Sequence, residues 1–206
     1  MLATVAAHYG RGPITAIDPH NSPILLNHSG GVEASSYKEF LHSIESSRVR
    51  EHVEPHVAYS TEVAKNWNRP IRILWIDGDH TLEGVRADVN GFLRFVVPGG
   101  VIAFHDALNT FSGPIRVFAE QFLASDEYGP AGFVHSIAWT QFRPDDGTCF
   151  KNERAKLRRA AERLLPFVEK DEELHGMRKR LFKLNRYRIP HSGVDAQQWV
   201  KSLEHS

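Results

Sequence analysis

The sequence has a single cysteine, Cys149, among its 206 residues, so it lacks the partner that an internal disulfide would need. It also lacks any apolar run near the roughly 20 residues that a membrane-spanning helix requires, so any membrane contact would be peripheral. The opening MLATVAAHYG has neither the basic start nor the cleavage-site pattern of a signal peptide. These absences predict a cytoplasmic protein without a membrane span, and the length suits one domain with an appendage.

Net charge is also absent, because 25 basic residues balance 25 acidic ones. The balance hides an asymmetry: residues 151–190 hold 13 Lys and Arg against 6 Asp and Glu, whereas residues 1–150 hold 11 against 17. The simplest interpretation is a solvated helical face, or a surface that docks onto the acidic part of the chain; binding to nucleic acid or anionic lipid is the alternative. The basic segment lacks the interleaved aromatics of a single-strand binding platform, so nucleic acid is not the expected partner.

Helices and strands alternate in the pattern of an α/β protein, without internal repeats or low-complexity tracts. The elements predicted before residue 70 are the end of a helix at 2–8, a strand at 14–17, a loop at 20–34, a helix from Ser35 or Ser36 to Ser46, a strand near 56–59 and a short helix around Val63 to Trp67. Asn68-Arg69-Pro70 then ends that helix.

The clearest unit begins with the strand IRILWI (71–76) and the loop DGDHT, and continues with a helix from about Leu82 to Val96. The turn Pro98-Gly99-Gly100 leads into the strand VIAF. Both strands are continuous apolar runs, which indicates burial on both faces, and a right-handed crossover makes them parallel. We therefore predict a mostly parallel sheet with helices on both faces.

The chain after this unit is expected to be partly antiparallel and then helical. The predicted elements are a helix at 115–124, a late antiparallel strand at the sheet edge over 132–142, and charged helices to about Lys183. This pattern predicts an α/β domain over residues 1–147 and a basic helical extension over residues 148–206.

Polar clusters follow each predicted strand at its carboxyl end, where open parallel sheets bind their ligands. These clusters are Asp18, Ser60-Thr61-Glu62, Asp77 to His80, and His105-Asp106. Neighbouring parallel strands lie about 4.8 Å apart, so side chains leaving adjacent strand ends can converge on one ion or substrate group. The competing interpretation is that such residues only form turns and caps; it suits Asp79 best, and it leaves His105 as a histidine satisfied by nearby backbone.

The motifs IDGDHTLEGVRAD and PGGVIAFHD, with Asp18 and Ser60 before them and GFVHSIAW after, resemble a class I S-adenosylmethionine-dependent methyltransferase. Within that class, the resemblance is to the metal-dependent sugar and small-molecule O-methyltransferases, the macrocin O-methyltransferase and cephalosporin hydroxylase-like group. It covers roughly residues 1–142 and implies a Rossmann-like methyltransferase fold. It also implies S-adenosylmethionine as the cofactor and a sugar or small natural product as the acceptor.

The resemblance assigns a role to each candidate residue. Asp18 would hold the ribose hydroxyls of the cofactor, and Ser60 and Thr61 would lie along its adenine. Asp77, His105 and Asp106 would hold a divalent metal, magnesium or manganese, with Asp77 also near the sulfonium. The catalytic set would be Asp77, His105 and His80, the last as a base or a substrate contact. His105 replaces the commoner carboxylate, which suits manganese, iron or zinc better than magnesium.

The sequence departs from the family at its amino end, where a strand and a Gly-rich loop should precede the first helix. Here YGRGP follows that helix instead of a strand, so it does not match the cofactor-binding loop. We therefore expect a sheet that lacks its first, central strand, in an N-terminally truncated domain; a degenerate homologue is the alternative. That loss would leave two strand edges unpaired unless they close on each other or another segment fills the gap.

The leading hypothesis is O-methylation of a hydroxyl on a sugar or small natural product, assisted by a divalent metal. One alternative is a noncatalytic methyltransferase-like module that binds a partner through residues 151–190. Another is a metal-dependent hydrolase, which the absence of an HExxH pattern disfavours. The sequence names neither the acceptor nor the oligomeric state, and it is compatible with a homo-oligomer.

Overall fold

The structure, a computed structural model, describes residues 2–21, 36–169 and 173–191 of the chain. Most of the loop predicted at 20–34 lies outside these residues. The chain divides into two compact units, Met1–Trp67 and Asn68–Ser206.

The first unit is built on a short parallel sheet. Its elements in chain order are α1 (Leu2–His8), β1 (Ile14–Ile17), α2 (Ser36–Ser46), β2 (Val53–His56) and α3 (Ser60–Lys65). Strands β1 and β2 pair in parallel from Ile14 opposite Val53 to Ile17 opposite His56. Ile44 of α2 packs with Val49 and Val53 in the core of this unit.

Strand β2 lies three residues earlier than the predicted strand near 56–59. The prediction was wrong because Pro55 argues against a strand, since proline cannot donate a ladder hydrogen bond. Among the described residues, β2 has β1 as its only neighbour, so Pro55 can lie in the strand with one edge unpaired.

The second unit holds a four-stranded sheet and five helices among the described residues. Its elements in chain order are β3 (Ile71–Ile76), α4 (Leu82–Phe92), β4 (Val96–Phe104), α5 (Ser112–Val117), β5 (Tyr128–Val134), β6 (Ile137–Phe142), α6 (Lys151–Glu162), α7 (Leu165–Val168) and α8 (Gly176–Tyr187). Helix α4 packs on β3 and α5, and α6 packs on β5.

The sheet order is β3-β4-β6-β5, in which β3 and β4 are parallel and the other two pairings are antiparallel. The βαβ unit predicted for residues 71–104 is therefore confirmed. Strand β4 starts earlier than predicted, because Pro98-Gly99-Gly100 lies inside it as an irregularity: Ile71 is opposite Val96, but Ile73 is already opposite Val101. Within the described residues, β1 and β3 each have a strand on one side only.

The late strand predicted over 132–142 is instead a hairpin of β5 and β6. The chain turns at His135, which adopts a left-handed φ of 54°. Positive φ is what a tight hairpin turn requires, but glycine or asparagine usually supplies it, so the sequence carried no clear turn signal here. The expected antiparallel edge is confirmed, with β6 against β4 and β5 outermost.

A cluster of phenylalanines forms the core beneath the carboxyl end of β4. Phe104, Phe118, Phe122 and Phe133 are fully buried. The Phe104 ring lies 5.1 Å from Phe122 and 5.8 Å from Phe118, centroid to centroid. This packing fixes the last residue of β4, after which the polar cluster His105-Asp106 begins. No helix in the described part of the chain is long and apolar enough to cross a membrane.

Arg154 is a charged residue inside the second unit, with only 1% of its surface exposed. It joins α6 to the sheet: Nη2 donates to Asp126 Oδ1 at 2.8 Å, and Nη1 donates to the carbonyls of Gly147 and Tyr128. Helix α6 is thus tied to β5 through a buried guanidinium that is hydrogen-bonded to the Tyr128 carbonyl and ion-paired with Asp126.

We predict that Arg154→Met destabilises the protein by about 3 kcal/mol, because it leaves Asp126 Oδ1 and two carbonyls without the guanidinium that donates to them. The free energy of unfolding in urea measures the effect. Lys151→Ala is the matched control, since Lys151 Nζ contacts the same carboxylate at 3.1 Å but is 69% exposed. It should cost at most about 1 kcal/mol. Equal losses in the two variants would contradict a special role for the buried guanidinium.

Candidate functional site

The carboxyl ends of β3 and β4 lie side by side in the second unit. Ile76 is opposite Phe104 in the parallel register, and the backbone N–H of His105 donates to the Ile76 carbonyl at 2.9 Å. Asp77 follows Ile76 directly, so the two polar clusters leave the same edge of the sheet. The predicted convergence of these strand ends is confirmed.

Asp106 is held in an unusual backbone conformation, with a left-handed φ of 53°. Its carbonyl accepts a hydrogen bond from the Asn109 backbone N–H at 3.0 Å, and its Oδ1 accepts one from Asn109 Nδ2 at 2.6 Å. Non-glycine residues with positive φ are uncommon and cluster at functional sites, although aspartate tolerates the conformation better than most residues. The turn therefore fixes both the direction and one oxygen of this carboxylate.

His80 is positioned by contacts with the segment that leads into α5. Its carbonyl accepts from the Gly113 backbone N–H at 3.1 Å, and its ring stacks on Phe111 with centroids 4.6 Å apart. The approach at Gly113 is so close that a Cβ there would lie 2.5 Å from the His80 carbonyl oxygen and 2.4 Å from that of Thr81. Only glycine fits at this position without moving the His80 loop.

Asp79 has a structural role, as the turn-and-cap interpretation predicted. Its two carboxylate oxygens accept from the backbone N–H and the hydroxyl of Thr81, both at 2.9 Å. Thr81 is the N-cap of α4 and accepts from the Gly84 N–H at 3.1 Å. Both oxygens of the Asp79 carboxylate are therefore hydrogen-bonded to the N-cap residue of α4.

The side chains of Asp77, His80, His105 and Asp106 form one cluster at this edge. His105 Nδ1 lies 3.0 Å from Asp77 Oδ1 and 3.4 Å from Asp106 Oδ1. His80 Nε2 lies 3.7 Å from Asp77 Oδ1 and 3.8 Å from Asp106 Oδ2. Each histidine nitrogen thus faces both carboxylates.

Both of these histidine nitrogens, His80 Nε2 and His105 Nδ1, are buried and have no hydrogen-bond partner among the described residues. Leaving a buried polar atom unsatisfied costs about 1–3 kcal/mol, so two such atoms in one cluster call for an explanation. A divalent metal with bonds of about 2.1 Å to nitrogen and oxygen places neighbouring ligand atoms roughly 3.0–3.5 Å apart. The distances from His105 Nδ1 to the two carboxylates fall within this range, whereas those from His80 Nε2 are slightly longer.

The geometry places His80 beside the expected metal-binding residues. One ligand atom each from Asp77, His80 and His105 lies within 4.8 Å of the other two. Asp106, which the sequence placed in the metal set, meets His105 with one oxygen and His80 with the other. All four side chains therefore lie close enough to contribute to a metal site, with Asp106 as a bridge between the two histidines.

The expected cofactor contacts Asp18, Ser60 and Thr61 belong to the first unit. The Asp18 backbone N–H donates to the His56 carbonyl at 3.1 Å, so the ends of β1 and β2 also lie side by side. The carboxylate of Asp18 is exposed, and its Oδ1 accepts from the His20 N–H at 2.7 Å. Ser60 and Thr61 lie in the first turn of α3, which begins after a three-residue connection from the end of β2.

Three residues that support the site were not singled out from the sequence for that role. Asn109 orients Asp106, Phe111 stacks on His80, and Gly113 allows the backbone approach. Asn109 could have been found as an amide three residues after an aspartate, a common turn arrangement. Phe111 and Gly113 carry no local signal, because their contacts join separate parts of the chain.

A protein family described as "Methyltransferase domain" matches residues 1–107, just over half of the chain. The chain belongs to this methyltransferase family. The match includes every cofactor-binding, catalytic and metal-binding residue that the sequence predicted, and it ends one residue after Asp106. The recognition of a methyltransferase from the strand-end motifs is thereby confirmed.

Several solved methyltransferases are similar to this family member at low identity. CalS11, the TDP-rhamnose 3'-O-methyltransferase of calicheamicin biosynthesis, is 17% identical with a TM-score of 0.46, over 68% of this chain and 64% of its own. MycE of the mycinamycin pathway, in complex with Mg and SAH, gives 12% and 0.40, over 70% and 48%. The O-methyltransferase from Bacillus cereus in complex with SAH gives 16% and 0.42, over 68% and 79%.

The chain thus spans less than two thirds of the length of the first two of these structures. The family assignment rests on the sequence match over residues 1–107.

We predict that Gly113→Ala lowers the free energy of unfolding by roughly 1–3 kcal/mol, because its methyl group would meet two backbone oxygens that have no room to move. Gly78→Ala is the matched comparison: its Cβ would meet only the far end of one side chain, Asp88 Oδ2 at 3.1 Å, which can shift by a few tenths of an ångström. That change should stay within about 1 kcal/mol of wild type. Thermal or urea unfolding of both variants measures the difference, and an undisturbed Gly113→Ala protein would contradict the close approach.

Proposed function

We propose that this chain catalyses transfer of a methyl group from S-adenosylmethionine to a hydroxyl of a sugar or small natural product, with a divalent metal at the Asp77 cluster. The observation that carries the proposal is the pair of buried histidine nitrogens that face two carboxylates at the ends of β3 and β4 and form no hydrogen bond with any described residue. Membership of a methyltransferase family supports the reaction class. The carboxyl edge of a parallel strand pair is where ligands of such sheets bind.

In this proposal Asp77, His105 and Asp106 hold the metal. The short distances from His105 Nδ1 to both carboxylates support this set. A bound metal would supply positive charge that favours the alkoxide form of an acceptor hydroxyl. The Asn109 amide keeps one Asp106 oxygen in place, which limits the rearrangement needed for binding.

His80 is the base in this proposal and accepts the proton of the acceptor hydroxyl at Nε2. Support comes from the position of that atom, which faces both carboxylates at 3.7–3.8 Å and accepts no hydrogen bond from the part of the chain that the structure describes. The stack on Phe111 and the Gly113 contact keep the ring and its loop in place. A base with fixed orientation loses less entropy when the acceptor arrives.

The two histidine nitrogens of this cluster, one proposed as a ligand and one beside the metal, make magnesium a poor choice of metal. Magnesium prefers oxygen ligands, whereas imidazole suits manganese, iron and zinc better. The proposal therefore takes manganese as the reference metal for binding experiments.

On the cofactor side, Asp18 would accept hydrogen bonds from the ribose diol, and Ser60 and Thr61 would lie along the adenine. A carboxylate that accepts two hydroxyl donors suits the ribose, and Asp18 is exposed at a strand end where a ligand can reach it. Bound S-adenosylmethionine would supply an activated methyl group on its sulfonium.

We predict that the chain binds Mn²⁺ more tightly than Mg²⁺, and that Asp77→Asn and His105→Ala each weaken Mn²⁺ binding at least about a hundredfold. Isothermal titration with each metal alone measures this. Asp79→Asn is the matched control, because it removes the same charge from the same loop but its carboxylate serves Thr81. If Asp79→Asn weakens binding as much as Asp77→Asn, the cluster is not the metal site.

The His80→Ala variant separates a base from a ligand. As a base, His80 is dispensable for Mn²⁺ binding, so the dissociation constant should change less than about tenfold, the lower bound for lost outer-shell support. A much larger loss would show that His80 is a ligand and would overturn its assignment as the base. The readout does not depend on knowing the acceptor.

For the cofactor, we predict that S-adenosylhomocysteine binds the full chain, and that Asp18→Asn weakens it roughly tenfold to a hundredfold through lost charged hydrogen bonds. Glu39→Gln, which removes an exposed acid of the same unit, is the matched control and should leave binding unchanged. Release of S-adenosylhomocysteine with a panel of sugars, nucleoside-diphosphate sugars and hydroxylated natural products then tests transfer. Absence of both cofactor binding and transfer would reject the proposed function.

A further inference from the structure

Among the described residues, helix α8 packs on the rest of the second unit through the face that carries Phe182. Phe182 is buried, with 3% of its surface exposed, and its ring lies 6.2 Å from that of Phe167, centroid to centroid. Ile189, just after the helix, is also buried, and His191 forms a bridge with β5. The helix is thus held in place by a face that is separate from the surface described next.

A second face of α8 exposes a row of aliphatic side chains. Met177 is 66% exposed, Leu181 43% and Leu184 46%. Their spacing of four and then three residues places them on one side of the helix. Single exposed apolar residues are ordinary, but neighbouring ones on one helix face indicate a surface that contacts something less polar than water. We refer to Met177, Leu181 and Leu184 as the aliphatic stripe.

The aliphatic stripe is bordered by positive charge. Residues 176–188 contain six Lys and Arg and no Asp or Glu. Lys179, Arg180 and Lys183 are exposed, and within the part of the chain that the structure describes they form no ion pair. The unpaired cations make this helix a strongly positive surface that is complementary to a negative one.

We propose that α8 docks the protein onto the surface of an anionic lipid bilayer. The aliphatic stripe would enter the boundary between headgroups and acyl chains, and the flanking lysines and arginines would contact the negative headgroups. A bilayer of this kind satisfies both features at once. The helix would lie in the plane of the surface, with Phe182 facing the protein.

Other occupants account for only one of the two features. Nucleic acid would engage the cations but leave the aliphatic stripe in water, and the helix has only Tyr187 as an aromatic that could stack on a base. A second copy of α8 would cover the aliphatic stripe but would bring like charges together.

Flotation of the full chain with vesicles tests the proposal. It should bind vesicles of phosphatidylcholine mixed with phosphatidylglycerol, should not bind phosphatidylcholine alone, and should be released as salt is raised, because the attraction is screened. Lys179→Gln with Lys183→Gln should weaken binding roughly thirtyfold. Leu181→Ser with Leu184→Ser, which leaves the charge intact, should weaken it roughly tenfold or more.

Lys156→Gln with Arg159→Gln on α6 is the matched control, because both residues are exposed and the net charge changes equally. This pair should retain nearly all vesicle binding. Failure of the wild-type chain to bind anionic vesicles overturns the proposal, and so does an equal loss in the α6 pair, which would indicate unspecific charge attraction.

Two further measurements distinguish lipid from the other two occupants, nucleic acid and a second copy of the chain. Binding of duplex RNA or DNA that needs Lys179 and Lys183 but is unaffected by the leucine pair would assign the surface to nucleic acid. A wild-type dimer in sedimentation velocity that the leucine pair converts to a monomer would assign the aliphatic stripe to self-association. Either result would overturn docking to lipid.

Discussion

The parallel pairing of β3 with β4 is the interaction on which the candidate site depends. The register that sets Ile76 opposite Phe104 makes Asp77 and His105 the first residues beyond the same edge of the sheet. A slip of one residue would turn every side chain of a strand to the opposite face and would shift Asp77 out of line with His105. The apolar runs of both strands and the buried phenylalanines beneath β4 oppose such a slip.

The site concentrates features that are unfavourable for stability. Asp106 adopts a left-handed backbone conformation, and two histidine nitrogens are buried without a hydrogen-bond partner among the described residues. Proteins retain such features where function requires them and where the surroundings hold them in place. Here the surroundings are the Asn109 turn on one side, and Phe111 with Gly113 on the other. A ligand that engages the nitrogens would relieve part of that cost.

The family match covers only the first part of the chain, and several elements of the second unit lie beyond it. Residues 1–107 carry the strand-end clusters, whereas the β5–β6 hairpin and helices α6 to α8 lie beyond the match. These later elements belong to the same compact unit as the Asp77 cluster, and Arg154 ties them to the sheet through a buried contact. The basic character that the sequence shows in residues 151–190 is most concentrated on α8, where it borders the aliphatic stripe.

The sequence by itself determined the βαβ unit, the order of polar clusters after the strands and the methyltransferase family, because apolar runs, helical spacing and strand-end motifs are local signals. It also identified Asp77, His80, His105 and Asp106 as neighbours, since parallel strands share one carboxyl edge. Tertiary structure alone decided the turn at His135, the irregular start of β4, and the support that Phe111 and Gly113 give to the His80 loop. Each of these depends on contacts between residues distant along the chain, where packing and backbone approach outweigh local preference.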